Sequence, residues 1–268
     1  MKKLAITLVV AIALLVAADF GSAAVAEYQV SKRVAERLKL QENPEVSING
    51  FPFLTQVAAG DYRDVRMKAD AVPVGPFNQL GIEADLHGAK VSTAQVIQGT
   101  ADEVTVDQLV ARVKLRAADV ARLIGIQDLT VEPATADALK DERTGEVEPA
   151  DAEIAEGGDP TKALVRLSGT VNIAGSDNKV QVVSVLSLEG DKMRITPREL
   201  ELNNSTFGQI DLPPLFERSV LEQFKTTLDP GMLPFEVRPT GVRVERGALV
   251  VEGIAHGVEL TSNGVRTG

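Results

Sequence analysis

The sequence has 268 residues, which is long enough for one large domain or two small domains with a substantial hydrophobic core. It contains no cysteine and only two histidines, so disulfides, thiol nucleophiles and cysteine-based metal sites are excluded, and a multi-histidine metal site nearly so. We therefore predict no metal site and no cofactor. The formal net charge of −10 argues against a nucleic-acid partner, which normally requires a basic surface.

The apolar residues are of an unusual kind. They make up 44% of the chain, but aromatic residues make up only 4% and tryptophan is absent. The interior must therefore consist mainly of valine, leucine, isoleucine and alanine. Such side chains pack well against one another, and they also line cavities for acyl chains well. Composition alone therefore leaves both a solid core and a lipid-binding cavity open.

The N-terminus combines a short basic start with an apolar segment. Two lysines precede Leu4–Ala18, fifteen uncharged and mostly aliphatic residues, and Asp19 follows. Because a membrane-spanning helix needs about 20 apolar residues, this length fits a signal peptide better, and Ala24–Ala26 resembles a cleavage site. The helical spacing of apolar residues nevertheless continues to Leu38, which favours an uncleaved anchor. Residues 1–26 are therefore predicted to be a signal peptide or a membrane anchor, and the rest of the chain to be exported. A buried helix of a cytosolic protein is the remaining alternative.

A segment with two of the chain's eight phenylalanines follows. Gly50–Pro52 is predicted to be a turn, because the proline between the two phenylalanines has no backbone N–H to give to a central sheet. Phe53–Ala59 is predicted to be a short helix or tight loop that directs Phe51 and Phe53 inward. Alternation of apolar and charged residues then predicts a strand over Tyr62–Ala71.

Most of the next hundred residues alternate in the manner of β-strands. Strands are predicted over Val46–Ile48, Leu80–Leu86, Val91–Ile97, Leu109–Leu115 and Ile126–Val131. His87–Ala89 is predicted to be the hairpin turn between two of them. Ala117–Ile124 switches to helical spacing and ends at Gly125, a residue typical of helix C-termini.

The segment 133–160 differs in composition from its surroundings. It has almost no large apolar residue and carries nine acidic residues against two basic ones, so it supplies most of the net charge of the chain. The spacing of an EF-hand calcium loop is missing. We interpret the segment as an acidic, solvated and poorly ordered insertion.

Strand patterns resume after the acidic segment. They cover Val165–Ile173, Val180–Leu188, the surroundings of Leu200, Val242–Val244 and Leu249–Leu260, with short turns typical of a meander. Between the third and fourth of these, a second helix is predicted from Asp211 to Leu228, with an apolar residue at every fourth position. The tail from Thr261 is polar and is predicted to be loose.

These patterns together predict an α+β fold in which a curved antiparallel β-sheet wraps one or two long amphipathic helices, preceded by the N-terminal hydrophobic helix. Residues 27–268 are predicted to form one domain. The glycine and histidine motifs of serine hydrolases, nucleotide-binding proteins and zinc proteases are absent from the sequence. We therefore predict that the protein is not an enzyme and assign no catalytic residue.

Two groups of residues carry a resemblance to a known family: Gly50–Gln56 with Gly60 and Val65, and a later group comprising Leu233–Phe235, Arg238–Val242, Gly253 and Gly257–Val258. With these residues the chain resembles the LmeA family of actinobacterial envelope proteins. It spans nearly the whole chain except the acidic insertion. The resemblance implies a fold similar to tubular lipid-binding proteins, phospholipid as the partner, and a role in the maturation of mannan-bearing lipoglycans. It implies no catalytic residue.

The resemblance and the residues together give a functional prediction: an extracytoplasmic phospholipid-binding protein that carries or senses lipid in the cell envelope and contacts the membrane through its N-terminal segment. The predicted apolar wall of the lipid site consists of Phe51, Phe53, Leu54, Val57, Val65, Met67, Leu109, Val113, Phe216, Val220 and Phe224. Cations that are predicted to contact a phosphate headgroup are Arg63, Arg66, Arg112, Lys114 and Arg116. The alternative for the wall residues is an ordinary core, and for the whole protein a membrane-tethered scaffold for envelope-synthesis enzymes, without a lipid cavity.

Overall fold

The computed structural model describes residues 2–38, 40–74, 77–92, 103–139, 146–173, 176–201, 214–228, 237–261 and 264–267. The fold is α+β, as predicted: an N-terminal apolar helix precedes curled antiparallel sheets, one of which is a half-barrel. The helices are α1 (Lys2–Leu38), α2 (Phe53–Ala59), α3 (Ala117–Ile124), α4 (Pro149–Ala155) and α5 (Pro214–Phe224). The strands are β1 (Glu45–Asn49), β2 (Asp61–Val74), β3 (Phe77–Lys90), β4 (Glu103–Arg116), β5 (Gln127–Pro133), β6 (Lys162–Ile173), β7 (Ser176–Glu189), β8 (Lys192–Glu201), β9 (Thr226–Leu228), β10 (Pro239–Glu245), β11 (Ala248–Thr261) and β12 (Gly264–Thr267).

The strands form two sheets rather than the single sheet that the sequence pattern suggests. The first, called the long sheet here, has the order β1-β2-β3-β4-β11-β10, with β12 paired to β11. The second, the short sheet, has the order β5-β6-β7-β8-β9. All pairings are antiparallel, so the predicted meander of neighbouring strands is confirmed.

The hairpin turn predicted at His87–Ala89 is wrong. β3 continues through these residues to Lys90 and pairs with both β2 and β4. Gly88 sits in the strand with a φ of 65°, a left-handed conformation that glycine adopts at no steric cost. A glycine in a strand therefore marks an irregularity here and not a chain reversal. Of the strand predicted over Val91–Ile97, residues 93–97 lie outside the described part of the chain.

The register of the long sheet sorts its side chains onto two faces. Val65 pairs with Leu86, which pairs with Leu109, and one step along, Met67 lies beside Ala84 and Ala84 beside Ala111. We call this side the apolar face. Because strand residues alternate, the intervening positions form the opposite side, which we call the charged face. It carries the charged residues Arg66, Lys68, Glu83, Asp85, Arg112, Lys114, Arg243, Glu245 and Glu252.

One buried cluster joins the two sheets. Leu115, Leu249 and Val251 of the long sheet belong to the same cluster as many aliphatic residues of the short sheet, together with Val220 and Phe224 of α5. Phe224 has no exposed surface. The predicted aliphatic interior is therefore present. Outside α1, the longest helix in the described residues is α5, with 11 residues, so the long helices predicted inside the sheet are less clear than the sheets themselves.

Three further segments differ from the sequence predictions. In the acidic segment 133–160, residues 140–145 lie outside the described part of the chain. The described part contains a 3₁₀ helix over Ala136–Leu139 and the helix α4, and Ile154 of α4 packs against Leu164 and Val185. The buried Ile154 attaches this segment to the short sheet. The average composition of the segment does not reveal a single residue of this kind. Leu228, predicted as the last apolar residue of α5, instead pairs with β8 as part of β9. The polar tail forms β12.

Candidate lipid-binding face and membrane helix

The helix α1 is 37 residues long and apolar enough over Lys2–Glu36 to cross a membrane. Most of its large apolar side chains, such as Leu8 and Leu14, are exposed. Exposed aliphatic side chains in such number are unfavourable in water and favourable in a bilayer. The prediction that the helical pattern continues to Leu38 is confirmed, since α1 is one helix across the position that resembles a cleavage site.

Asp19, which directly follows the apolar segment Leu4–Ala18 of α1, binds the start of α2. Its two carboxyl oxygens accept hydrogen bonds from the backbone N–H groups of Phe53 and Leu54, both at 2.8 Å, and Asp19 is only 5% exposed. The first N–H groups of a helix have no partner within the helix and favour negative charge. Pro52 at the N-cap position supplies no side-chain cap, so Asp19 acts as the cap from a distant part of the chain.

Two further polar residues attach α1 to β1. The carboxyl group of Glu27 accepts a hydrogen bond from the backbone N–H of Ile48 at 2.8 Å. The hydroxyl of Ser31 donates to the carbonyl of Pro44 at 2.5 Å and is buried. The second half of α1 is therefore part of the folded domain, and only the first half extends away from it.

The residues that carry the family resemblance hold α2 in place. The side-chain amide of Gln56 donates to the carbonyl of Gly50 at 2.8 Å, and its oxygen accepts from the N–H of Arg63 at 3.1 Å. Gly60 ends α2 in the left-handed conformation, with a φ of 66°, which favours glycine. This arrangement confirms the predicted turn and helix. It directs Phe53 inward but leaves Phe51 53% exposed, so the predicted burial of both phenylalanines is wrong for Phe51.

The predicted wall residues fall into three places. Val65, Met67 and Leu109 share the apolar face, where they belong to one cluster with Ala84, Leu86, Ala111 and Val258. Val113, Val220 and Phe224 belong instead to the cluster between the sheets. The α2 segment holds the rest: Phe53 is buried, Val57 half-buried and Leu54 exposed. The side chain of Phe216 lies outside the described residues. Leu86 and Ala84 were not predicted as wall residues, although the alternation of apolar residues includes them. They belong to the apolar face because the register of β3 and β4 places them beside Leu109 and Ala111.

The apolar face is buried unevenly. Leu109 has no exposed surface and Ala111 is 1% exposed. Tyr62, Val65 and Met67 on β2 are only half-buried although they contact the same cluster. The face is therefore accessible along β2, as it also is at Val104 of β4 and at Ala255 and Leu260 of β11. β2 lies next to β1, and β1 contacts α1.

Most of the predicted headgroup cations are engaged on the charged face. Asp85 lies between Arg66 and Arg112, at 2.8 and 2.6 Å, and Arg112 also binds Glu252 at 2.6 Å. The row continues through Arg243, Glu245 and Lys114 to Glu83, so opposite charges alternate across five strands. We call it the charge ladder. Arg116 pairs with Asp70 at 3.3 Å, and Arg63 is exposed.

The ladder shifts the ionisation of its members. Burial raises the pKa of the Asp85 carboxyl, but hydrogen bonds from Arg112 and Arg66 outweigh burial and hold the pKa below its ordinary value. The pKa of Glu245 is lowered in the same way, with Arg243 and Lys114 outweighing burial. The hydrogen bond to Glu83 raises the pKa of Lys114. Arg66, Arg112 and Lys114 therefore satisfy carboxylates of the protein, on the side of the sheet opposite to the apolar face.

The fold is expected to lose stability in acid. The folded-state pKa values of Asp85 and Glu245 lie below their ordinary values of 3.8 and 4.5. Their stabilising contribution is complete above the ordinary values and is lost as the pH falls through the lower folded-state values. We expect the thermal midpoint, followed by circular dichroism of the full chain in mild detergent, to fall steeply below about pH 4.5.

Two variants test whether the charge ladder causes this loss of stability in acid. Asp85→Asn cannot ionise, so we expect a lower midpoint at pH 7 and a shallower decline in acid than in the wild type. Asp107→Asn removes an exposed partner of Lys90, paired at 2.9 Å, and should keep the wild-type acid profile. An unchanged acid decline in Asp85→Asn would show that the ladder does not cause it.

Two clefts of the structure are open and have mixed linings. One, of about 440 Å³, lies at the end of the long sheet beside α2 and includes Asp61, Lys90 and Glu103 in its lining. The other, of about 240 Å³, lies between the α4 segment and β10. Neither is an enclosed apolar tunnel of the kind that the sequence leaves open. In the residues that the structure describes, no group of three or more histidine, cysteine or acidic side chains could hold a metal ion.

A comparison with protein families decides the relationship. The model of the LmeA-like phospholipid-binding family matches residues 17–254. The chain belongs to this family. No curated protein sequence and no solved structure is significantly similar to the chain.

Membership of the LmeA-like family indicates lipid binding, and the family is not known for enzymatic activity. The matched range begins within α1, two residues before Asp19, and therefore includes the contacts that join α1 to α2 and β1. It also includes the whole of β2, β3 and β4, which form the apolar face. The LmeA-like region thus begins within α1 and ends within β11.

Proposed function

We propose that this protein is a membrane-tethered, extracytoplasmic phospholipid-binding protein that takes up acyl chains on the apolar face of the long sheet. The family match over residues 17–254 carries the proposal. Within this proposal, residues 27–268 form one domain, and that domain carries or senses lipid during the maturation of mannan-bearing lipoglycans. A basic start before an apolar segment is typical of exported chains and supports the extracytoplasmic side.

The contacts of α1 support a retained anchor in preference to a cleaved signal peptide. A cut after Ala26 would remove Asp19, and with it the two hydrogen bonds that cap α2. It would also remove Phe20, which stacks on Phe51. Cleavage would therefore leave the N–H groups of Phe53 and Leu54 without their partner, which favours a segment that is retained.

The apolar face supplies the surface that an acyl chain requires. Moving one acyl methylene from water to an apolar surface gains about 0.8 kcal/mol, so a lipid is bound by a long aliphatic surface and not by a few polar contacts. The half-buried residues Val65 and Met67 lie on the strand next to β1, and β1 contacts α1. A lipid leaving the bilayer beside α1 would therefore meet the half-buried part of the apolar face along β2 first.

Photo-cross-linking of the full chain tests this assignment. The protein is reconstituted into phosphatidylcholine vesicles that contain a trace of phospholipid with a diazirine in one acyl chain, irradiated, and digested for mass spectrometry. We expect adducts on β2, β3 and β4 in addition to those on Leu4–Ala18, which serve as an internal standard. Adducts confined to α1 would contradict lipid binding by the sheet and favour the scaffold.

A matched pair of variants separates the two faces. Met67→Glu places a carboxylate on the apolar face, and Lys68→Glu places the same group on the next residue, which belongs to the charged face. Burying an unpaired polar group costs about 1–3 kcal/mol, so the sheet adducts of Met67→Glu are expected to fall about tenfold relative to the α1 adducts. Lys68→Glu should leave that ratio unchanged. Equal losses in both variants would contradict the proposed face.

A further inference from the structure

We propose that the α2 end of the domain is a membrane-docking surface, in which Phe51 and Leu54 insert into the phospholipid bilayer that α1 crosses. This inference rests on the membrane tether of the proposed function, but not on lipid uptake by the apolar face. It assigns an orientation to the domain: the end of the long sheet at which β2 begins faces the bilayer.

Exposed apolar side chains are concentrated at this end. Outside α1, the large hydrophobic residues that are exposed in the described part of the chain are Phe51, Leu54, Leu123 and Ile254. Two of these four lie within four residues of each other at the start of α2. Both flank the buried Phe53, so the same short segment directs one phenylalanine into the domain and two apolar side chains out of it.

The exposed pair is held against α1 at the point where its apolar segment ends. The rings of Phe20 and Phe51 stack with centroids 5.9 Å apart, and Phe20 is itself 63% exposed. The hydrogen bonds of Asp19 to Phe53 and Leu54 fix the position of α2 relative to α1. Phe51 and Leu54 therefore lie at the same level along α1 as Phe20, whatever the depth of α1 in the bilayer.

The length of the apolar segment places that level inside the bilayer. The fifteen residues Leu4–Ala18 extend for about 22 Å at 1.5 Å per residue, whereas the hydrocarbon core is about 30 Å thick. A helix shorter than the core draws its flanking residues into the bilayer or thins it. Apolar groups at an interface are commonly buried by about 5–10 Å, which matches the missing length.

The chemistry of α2 permits this burial. Its sequence, FLTQVAA, contains no charged residue, and Gln56 directs its polar groups to the backbone of Gly50 and Arg63. The carboxyl oxygens of Asp19 are occupied by backbone N–H groups. The polar groups of Gln56 and Asp19 are therefore paired within the protein, which lowers the cost of moving α2 out of water.

The absence of tryptophan from the sequence allows a direct test. Phe51→Trp introduces a single fluorophore, and the full chain is reconstituted into phosphatidylcholine vesicles that carry bromine atoms on the acyl chains near the headgroup. We expect the emission to fall by at least about half relative to unbrominated vesicles, since the burial depth of interfacial residues is about 5–10 Å. Leu54→Trp, at the neighbouring exposed position, should show the same loss.

Two control positions make the outcomes distinct. Leu123→Trp occupies an exposed position on α3, which follows the far end of β4, and should keep its emission. Leu8→Trp lies in the apolar part of α1. Its emission should fall in vesicles whose phospholipids carry bromine deeper in the acyl chain. Quenching at Leu8 without quenching at Phe51 and Leu54 overturns the docking surface but keeps the tether. Equal quenching at Leu123 overturns the assigned orientation, and no quenching at Leu8 overturns the tether and the docking surface together.

Discussion

Asp19→Ala is expected to release α2 from α1 and to weaken the local structure around α2 by about 3 kcal/mol, because a hydrogen bond to a charged group contributes about 1.5–3 kcal/mol. Two such bonds are lost at once, to the N–H groups of Phe53 and Leu54. The N-cap of α2 is a proline without a side-chain cap, so no other described group replaces the carboxylate.

Hydrogen exchange of the full chain in mild detergent measures this effect at its origin. The amide hydrogens of Phe53 and Leu54 should exchange about a hundredfold faster in Asp19→Ala, the ratio that corresponds to about 3 kcal/mol. Asp19→Asn keeps one acceptor oxygen and should give a smaller increase. Ser22→Ala is the matched control, because the hydroxyl of Ser22 donates to the carbonyl of Ala18 within α1. Unchanged exchange at α2 in Asp19→Ala would show that α1 and α2 are held together by other contacts.

The role of Asp19 shows where reasoning from the sequence reaches its limit. In the sequence, Asp19 interrupts an apolar run and suggests the end of a membrane segment. Its partners lie 34 and 35 residues further along the chain, so no local pattern connects them. The turn at Gly50–Pro52 and the helix after it were predictable, because proline and glycine act locally.

Local alternation predicts the strands and the side of the sheet on which a residue lies, but not the residues that it contacts there. Alternation in β4 places Leu109 and Arg112 on opposite sides, which the structure confirms. Whether Arg112 meets water, a headgroup or another side chain depends on what the adjacent strands place beside it. The register puts Glu83, Arg112 and Glu252 in line, and a sequence pattern of period two cannot supply register. The basic residues that were predicted to bind phosphate are for this reason largely members of the charge ladder.

The predicted inward orientation of Phe51 is wrong for a related physical reason. A phenylalanine between glycine and proline is expected to be buried, since burial of a large apolar side chain is favourable by about 1.5–3 kcal/mol. Phe51 instead stacks on an exposed ring of α1. Hydrophobicity predicts that such a side chain leaves water, and it does not distinguish the protein interior from the bilayer.

Arg112→Met is expected to destabilise the domain by about 2–3 kcal/mol, somewhat less than the 3–5 kcal/mol typical of breaking a fully buried ion pair, because the Arg112 side chain is 20% exposed. The substitution leaves Asp85, 10% exposed, with Arg66 as its remaining partner in the ladder, and leaves Glu252 with Arg243. Methionine keeps most of the aliphatic length of arginine, so the loss reports on charge and hydrogen bonding and not on packing. Thermal unfolding at pH 7 measures it, and Lys90→Met, at an exposed ion pair with Asp107, should change little.

The same variant separates a structural role for Arg112 from a headgroup contact. Because Arg112 lies on the charged face, Arg112→Met should keep the ratio of sheet adducts to α1 adducts in the photo-cross-linking experiment while the thermal midpoint falls. A headgroup contact would give the reverse, a lower ratio with little change in the midpoint. The double variant Asp85→Asn/Arg112→Met should lose less stability than the sum of the two single variants, because each single change leaves the other group without its partner. Strict additivity would show that the Asp85–Arg112 pair, at 2.6 Å, contributes no coupling to the fold.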